Sequence, residues 1–224
     1  MRTHLGGLTV ILCMTPFGGE GCAGKDDTSC VDASSACLQG RMPLADADAV
    51  IDMQYTGGIE PTLAPAGDVN GDGYDDFAVG AEDDATSGRY SGALYLVEGP
   101  AGSLSTIDEA FAEWTGPNAW QYVENAEGGK DLDGDGQPDL VIGNDGVDDE
   151  VNGSTWVLRG PFESGTHSLA TADATWMGEY RHNGGGFSLA LLDDTNADGY
   201  ADLLVGAVDY DDAGAAYLIL GGPD

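Results

Sequence analysis

Positive charge is what this chain has least of: Lys and Arg together number 7 against 40 Asp and Glu, for a formal net charge of −33. A surface that negative repels phosphate backbones and anionic lipids, which sets aside nucleic acid and membrane surfaces as partners. Cysteine is scarce and confined. All 4 (Cys13, Cys22, Cys30 and Cys37) lie before residue 38, so no disulfide links later segments to one another. No apolar run reaches the ~18 residues that a membrane-spanning helix requires. Only 3 histidines are present; His167 and His182, the two beyond the leader, lack metal-ligand spacing and read as turn residues. Strong acidity with few aromatics can signal disorder. Against that, apolar runs such as LLVGA (203–207) and AAYLIL (215–220) need burial. With 36 glycines and apolar segments this short, the chain reads as short strands joined by tight turns. Its 224 residues are enough for one domain or two with a sizeable core.

The N-terminus is of a different character. Arg2 and His4 precede the apolar stretch LTVILCM (8–14), followed by Pro16 and small residues, so 1–21 reads as a signal peptide. Residues 22–43 read as a flexible, Cys-containing tether rich in Asp, Ser and Ala. Export would permit a Cys30–Cys37 disulfide around a small polar loop. Cys22, following Gly21, resembles a lipoprotein cleavage site, although Glu20 and Gly19 depart from the usual small and Leu-like residues. An unlipidated cysteine in a flexible leader is the alternative.

From residue 44 to 224 the chain repeats itself. DVNGDGYDDFAVGA begins at Asp68, DLDGDGQPDLVIGN at Asp131 and DTNADGYADLLVGA at Asp194, two successive intervals of 63 residues. A period kept twice reports a repeat architecture. Each acidic segment leads to a glycine (Gly80, Gly143, Gly206), then to an apolar strand: GALYLVEGP (92–100), GSTWVLRGP (153–161) and GAAYLILGGP (214–223). A further strand with alternating or aromatic character precedes each unit, at 47–57, 107–116 and 171–178. Four short strands in about sixty residues predict an all-β partial propeller of three four-stranded blades.

Each acidic loop carries oxygen-bearing side chains at its positions 1, 3, 5 and 9, with glycine at 6. In the first loop (68–76) these are Asp68, Asn70, Asp72 and Asp76, with Gly73 at the turn. The second (131–139) has Asp131, Asp133, Asp135 and Asp139 around Gly136. The third (194–202) has Asp194, Asn196, Asp198 and Asp202 around Gly199. Alternate side chains turned inward make a cage of hard oxygens suited to Ca²⁺, one ion per loop and about three in all. Position 7 (Tyr74, Gln137, Tyr200) would offer its backbone carbonyl, which leaves the side chain free to vary. An EF-hand is excluded, because position 12 is Val79, Ile142 or Val205 inside a strand-like run instead of a carboxylate before a helix. The middle loop has four ligand carboxylates where the others have three and an Asn, and so should bind calcium most tightly.

These features resemble the FG-GAP repeats of integrin α-subunit propellers and their bacterial relatives, over roughly residues 44–223. The third unit carries the resemblance furthest, in GGGFSLALLDDTNADGYADLLVGAVDYDDAGAAYLILGGP (184–223), with Phe187 in the "FG" place. The other units depart there, reading PTLAPAGD (61–68) and ENAEGGKD (124–131). The resemblance implies a cation in the hairpin between the first two strands of each blade, held for rigidity and not for catalysis.

A catalytic reading has little to stand on. Paired carboxylates carry no information among forty, and Ser188 in GFSLA lacks the second glycine and the strand-to-helix turn of a nucleophile elbow. Trp114, Trp120, Trp156 and Trp176 could form a sugar- or protein-binding patch, though blade cores explain most of them more simply. The expected role is therefore binding, adhesion or scaffolding at the cell surface, toward a protein or carbohydrate ligand and without catalysis. A lyase-like, carbohydrate-active propeller and a truncated piece of a larger propeller are the alternatives. Three blades are too few for a ring, since propellers have ~4–8. Two chains joined head to tail would close a six-bladed one, and missing or borrowed blades would serve equally.

Overall fold

The 63-residue period survives into the backbone as three sheets whose successive strands pair antiparallel on one plan. A computed structural model of the chain describes residues 50–53, 61–100, 106–123, 125–144, 152–178, 184–208 and 214–223. All of these belong to one compact unit, Ala49–Asp224. The segments read from sequence as a signal peptide and a tether, every cysteine, His182 and the 47–49 and 54–57 parts of the first expected strand lie outside the described residues.

The first sheet contains β1 (Pro61–Gly67), β2 (Asp76–Ala81), β3 (Ala93–Val97) and β4 (Ala112–Thr115). The second contains β5 (Asn125–Lys130), β6 (Asp139–Asn144), β7 (Ser154–Leu158) and β9 (Ala174–Met177). The third contains β10 (Gly185–Leu192), β11 (Asp202–Ala207) and β12 (Ala215–Ile219). The expectation of four strands per blade thus holds for the second sheet, while the third has three among the described residues. The first gains a fifth strand, β8 (Gly165–Ser168), which pairs parallel to β4. The strands expected at 107–116 and 171–178 form as β4 and β9, each the fourth strand of its blade before the next acidic loop; β9 is an edge strand, whereas β4 is covered by β8. Of the strand expected at 47–57, Asp52 forms a single parallel bridge to Thr106.

Register is common to all three. Gly80 faces Leu94, Gly143 faces Thr155 and Gly206 faces Ala216 across the second and third strands. The segments PTLAPAGD and ENAEGGKD, which depart from the repeat pattern, are nonetheless strands β1 and β5. Each carries a bulge just before its acidic loop, between Pro65 and Gly67 and between Gly128 and Lys130. β10 is bulged too, between Gly185 and Ser188. The bulges of β1 and β5 re-aim the strand where it leaves the sheet into its acidic loop, whereas that of β10 lies at the strand's beginning.

β2, β3, β6 and β7 are apolar on both faces, and the structure buries both. Leu94, Leu96, Trp114, Leu140, Ile142, Trp156 and Leu158 form one core between the first and second sheets. Leu132, Val141, Val157, Leu191, Leu203 and Val205 form another, reaching from the second sheet to the third. Val79, Tyr95, Val97 and Ile107 pack with Ile51 and Met53 on the opposite face of the first sheet. Trp114 and Trp156 are core residues, as blade packing suggested. The sheets approach closely through glycine: a Cβ at Gly143 would lie 2.4 Å from the Gly186 carbonyl oxygen. The described residues include no α-helix, and no helix long and apolar enough to cross a membrane.

Candidate metal centre

Each acidic loop joins the first two strands of its sheet, so the hairpin brings both of its ends together. The loops turn where left-handed backbone is required: Gly73, Gly136 and Gly199 have φ of +91°, +88° and +99°. A Cβ at these glycines would meet nothing, so conformation alone selects them.

The carboxylates are held by backbone N–H groups in one repeating pattern. The position-1 carboxylate accepts from the glycine at position 6: Gly73 N–H to Asp68 Oδ2 at 2.9 Å, Gly136 to Asp131 Oδ2 at 2.8 Å, and Gly199 to Asp194 Oδ2 at 2.8 Å. Position 5 caps the next turn, accepting from the amide of Tyr74, Gln137 or Tyr200 through Asp72, Asp135 or Asp198. Position 3 accepts from the position-5 amide through Asn70, Asp133 or Asn196. The buried position-9 carboxylate ties the loop to the sheet. Asp76 takes the N–H groups of Val69 and Gly99, Asp139 those of Leu132 and Gly160, and Asp202 those of Thr195 and Gly221. Gly99, Gly160 and Gly221 follow the third strand, and motif reading of the loops alone missed them. Their signal was the glycine that recurs after each of those strands.

The loops differ in electrostatics. Burial pushes Asp139 up to about 6, against the N–H groups of Leu132 and Gly160 and with the charges of Asp133 and Asp131 adding to it. Asp202 is held below its ordinary value by the Thr195 hydroxyl and amide and by Gly221. Asp194 is held low by four loop amides, that of Gly199 foremost. In the middle loop, carboxylate oxygens of Asp131, Asp133 and Asp139 lie within 4.8 Å of one another. Asp135 is not in that group, and no other group of three acidic, Cys or His ligands this close occurs among the described residues. Three converging carboxylates, one of them buried, fit a hard divalent cation. In the outer loops Asn70 or Asn196 replaces the position-3 carboxylate. Tyr74 is 55 % exposed, as a residue contributing only its carbonyl would be.

Two neighbours of the middle loop were not legible in its motif. Arg159, at the end of β7, places its Nε 3.5 Å from Asp133 Oδ2. The third sheet braces the loop: Ala201 N–H donates to the Asp131 carbonyl and Gly222 N–H to that of Leu132. The Tyr200 ring sits where a Gly134 Cβ would be, 2.4 Å away. His167, expected in a turn, instead lies in β8, its ring 5.5 Å from that of Trp114 and its Nε2 2.8 Å from the Glu163 carbonyl.

Sheets of this order, each opened by an acidic hairpin loop between its first two strands, define a class: the blade of a β-propeller. Comparison with known proteins agrees. The family model of the FG-GAP repeat matches residues 61–97 and 126–158, the first two repeats. Integrin alpha-PS2 of Drosophila melanogaster is 40 % identical over 92 residues, which is 36 % of this chain and 6 % of that protein. Integrin alpha-5 of Xenopus laevis is 32 % identical over 111 residues, 48 % of this chain and 10 % of that one. Integrin alpha-V of Gallus gallus is 35 % identical over 94 residues, 40 % and 9 % respectively. Two segments of the chain thus match the FG-GAP repeat, and over a third to a half of its length the chain is similar to integrin α subunits. It spans a tenth or less of the length of these relatives.

Proposed function

We propose that this chain is an exported, calcium-stabilised binding module that engages a protein ligand at the cell surface and catalyses nothing. The observation that carries the calcium reading is the convergence of Asp131, Asp133 and Asp139 in a hairpin whose plan recurs in two further blades. Calcium would be held by the side chains of Asp68, Asn70, Asp72 and Asp76, of Asp131, Asp133, Asp135 and Asp139, and of Asp194, Asn196, Asp198 and Asp202. The carbonyls of Tyr74, Gln137 and Tyr200 would complete the three sets. Bound there, it neutralises carboxylates the fold crowds together and stiffens the hairpins; the chain's own amides already fix the loop shape. Similarity to integrin α subunits supports adhesion and a protein ligand over a carbohydrate.

Thermal melting with calcium and after chelation is the direct test. A clear fall in Tm on chelation is expected, and an unchanged curve would remove the calcium reading. Association of two chains through the third sheet is a second reading. Leu218 and Leu220, each 52 % exposed there, favour it. Sedimentation as a monomer at micromolar concentration in calcium would rule it out.

A further inference from the structure

At the opposite end of the first sheet from its acidic hairpin, the β2–β3 loop (82–92) meets the loop that follows β4 (116–123). The two are stitched together by Trp120 N–H to the Arg89 carbonyl at 2.8 Å and Tyr122 N–H to the Tyr90 carbonyl at 3.0 Å. Three aromatics converge on this seam. Tyr90 and Tyr122 stack with centroids 5.4 Å apart and planes 13° apart, and Trp120 lies 5.0 Å from Tyr90. All three stand in left-handed backbone, with φ of +54° (Tyr90), +65° (Trp120) and +45° (Tyr122). Bulky side chains resist that conformation, which Gly or Asn adopts more readily. Such strain gathers at binding sites, where the surroundings hold residues that folding alone does not favour. These rings are only half buried, whereas Trp114 and Trp156 fill cores.

The charge pattern points the same way. In a chain of net charge −33, Lys130 and Arg159 pair with Asp193 and Asp133. Arg89 makes no ion pair among the described residues, although Glu82, Asp83 and Asp84 share its loop. Its guanidinium lies 5.0 Å from the Tyr90 ring and 4.9 Å from that of Trp120, and the residue is exposed. A guanidinium laid against aromatic rings keeps its planar N–H fork available, a shape that matches a carboxylate bidentately. The rings beside it offer apolar faces to whatever adjoins that carboxylate.

We propose that Arg89, with Tyr90, Trp120 and Tyr122, is a binding site for an isolated Asp or Glu carboxylate on a protein ligand, flanked by apolar and basic residues. The flanking preference follows from the field of the whole chain. A polyanionic ligand such as an acidic polysaccharide accumulates repulsion along its length, whereas one carboxylate among cations does not. The proposal rests on the protein-binding reading above and adds the site and the ligand chemistry.

The test is fluorescence anisotropy on the full calcium-loaded chain, with a labelled peptide of Lys and Phe residues around a single Glu, and its Gln counterpart. The Glu peptide should bind roughly tenfold more tightly than the Gln peptide. Arg89→Lys keeps the charge but loses the fork, and should remove most of that difference. Trp120→Asn, which tolerates the left-handed backbone, should weaken binding as well, with both variants melting like the parent. Equal binding of the two peptides, indifference to Arg89→Lys, no binding at all, or binding of oligoglucuronate in place of the peptide would each overturn the proposal. None of those outcomes alters the calcium-dependent melting, so this site and the module reading fail separately.

Discussion

At the scale of single residues, the acidic loops show which positions the backbone dictates and which the charge dictates. Position 4 is left-handed in all three: Gly71 at +74°, Gly134 at +84° and Ala197 at +65°. Alanine pays for that conformation where glycine does not. Ala197→Gly should therefore stabilise the chain by about 0.5–1 kcal/mol, the relief of the left-handed penalty less the extra unfolded-state entropy of glycine. Urea unfolding in chelator measures it, and a loss of stability would contradict the account. Charge governs position 3. Arg159 near Asp133 already neutralises part of the middle loop's charge and would compete with a bound cation for the same oxygens. Arg159→Gln should tighten calcium at that loop, and Asp133→Asn should loosen it, in a site-resolved titration. If Arg159→Gln weakens binding instead, the guanidinium positions the loop and does not compete.

At the scale of elements, the sheets lock through glycines and across one parallel seam. Gly143→Ala would drive a Cβ into the Gly186 carbonyl of β10, backbone against backbone. The second and third sheets cannot both keep their places, and a loss of about 1–3 kcal/mol is expected from denaturant unfolding. Gly73→Ala is the control, since open space surrounds it and only the backbone conformation suffers. The β4–β8 seam carries Glu113, whose carboxylate accepts from the Thr166 hydroxyl at 3.0 Å. Burial, chiefly, raises Glu113 above its usual 4.5, and the charge of Asp84 adds to this. A carboxyl raised on folding favours the native state fully below its unfolded value and loses that contribution as pH rises through the folded value. At neutral pH the ionised Glu113 is thus a liability. Glu113→Gln should raise Tm at pH 7, and the gain should shrink as pH falls through the raised folded value and be gone below the unfolded value of about 4.5, checked by melting curves across that range. A pH-independent difference would show that packing, not ionisation, decides it.

At the scale of the whole molecule, the net charge of −33 opposes folding unless something gathers the carboxylates. Backbone amides do so locally in every loop, and calcium would do so with full charge. A cation that binds only the native state stabilises it by mass action, about 2.7 kcal/mol per site at a hundredfold excess over Kd. Screening by simple salt also relieves repulsion, but it does not fill a loop. Calcium should accordingly raise Tm well beyond an equal ionic strength of NaCl. Equal shifts would mean that the loops respond only to screening.

The sequence by itself determined the repeat, its period, the all-β class and the acidic hairpins, because these depend on spacing along the chain. Glycines at φ-positive turns and oxygens on alternate residues are local demands, and local demands are written locally. It misread β8, a short polar GTHS segment that no pattern marks as a strand, because only the exposed edge of β4 makes one of it. The placement of Arg159 against Asp133 was likewise beyond reach, since strand register sets that distance. So was the meeting of Arg89 and Tyr90 with Trp120 and Tyr122, which lie about thirty residues apart and are joined by two backbone hydrogen bonds between loops. Such contacts were decided only by the tertiary structure, because they arise when the sheets stack and their loops are brought to a common end.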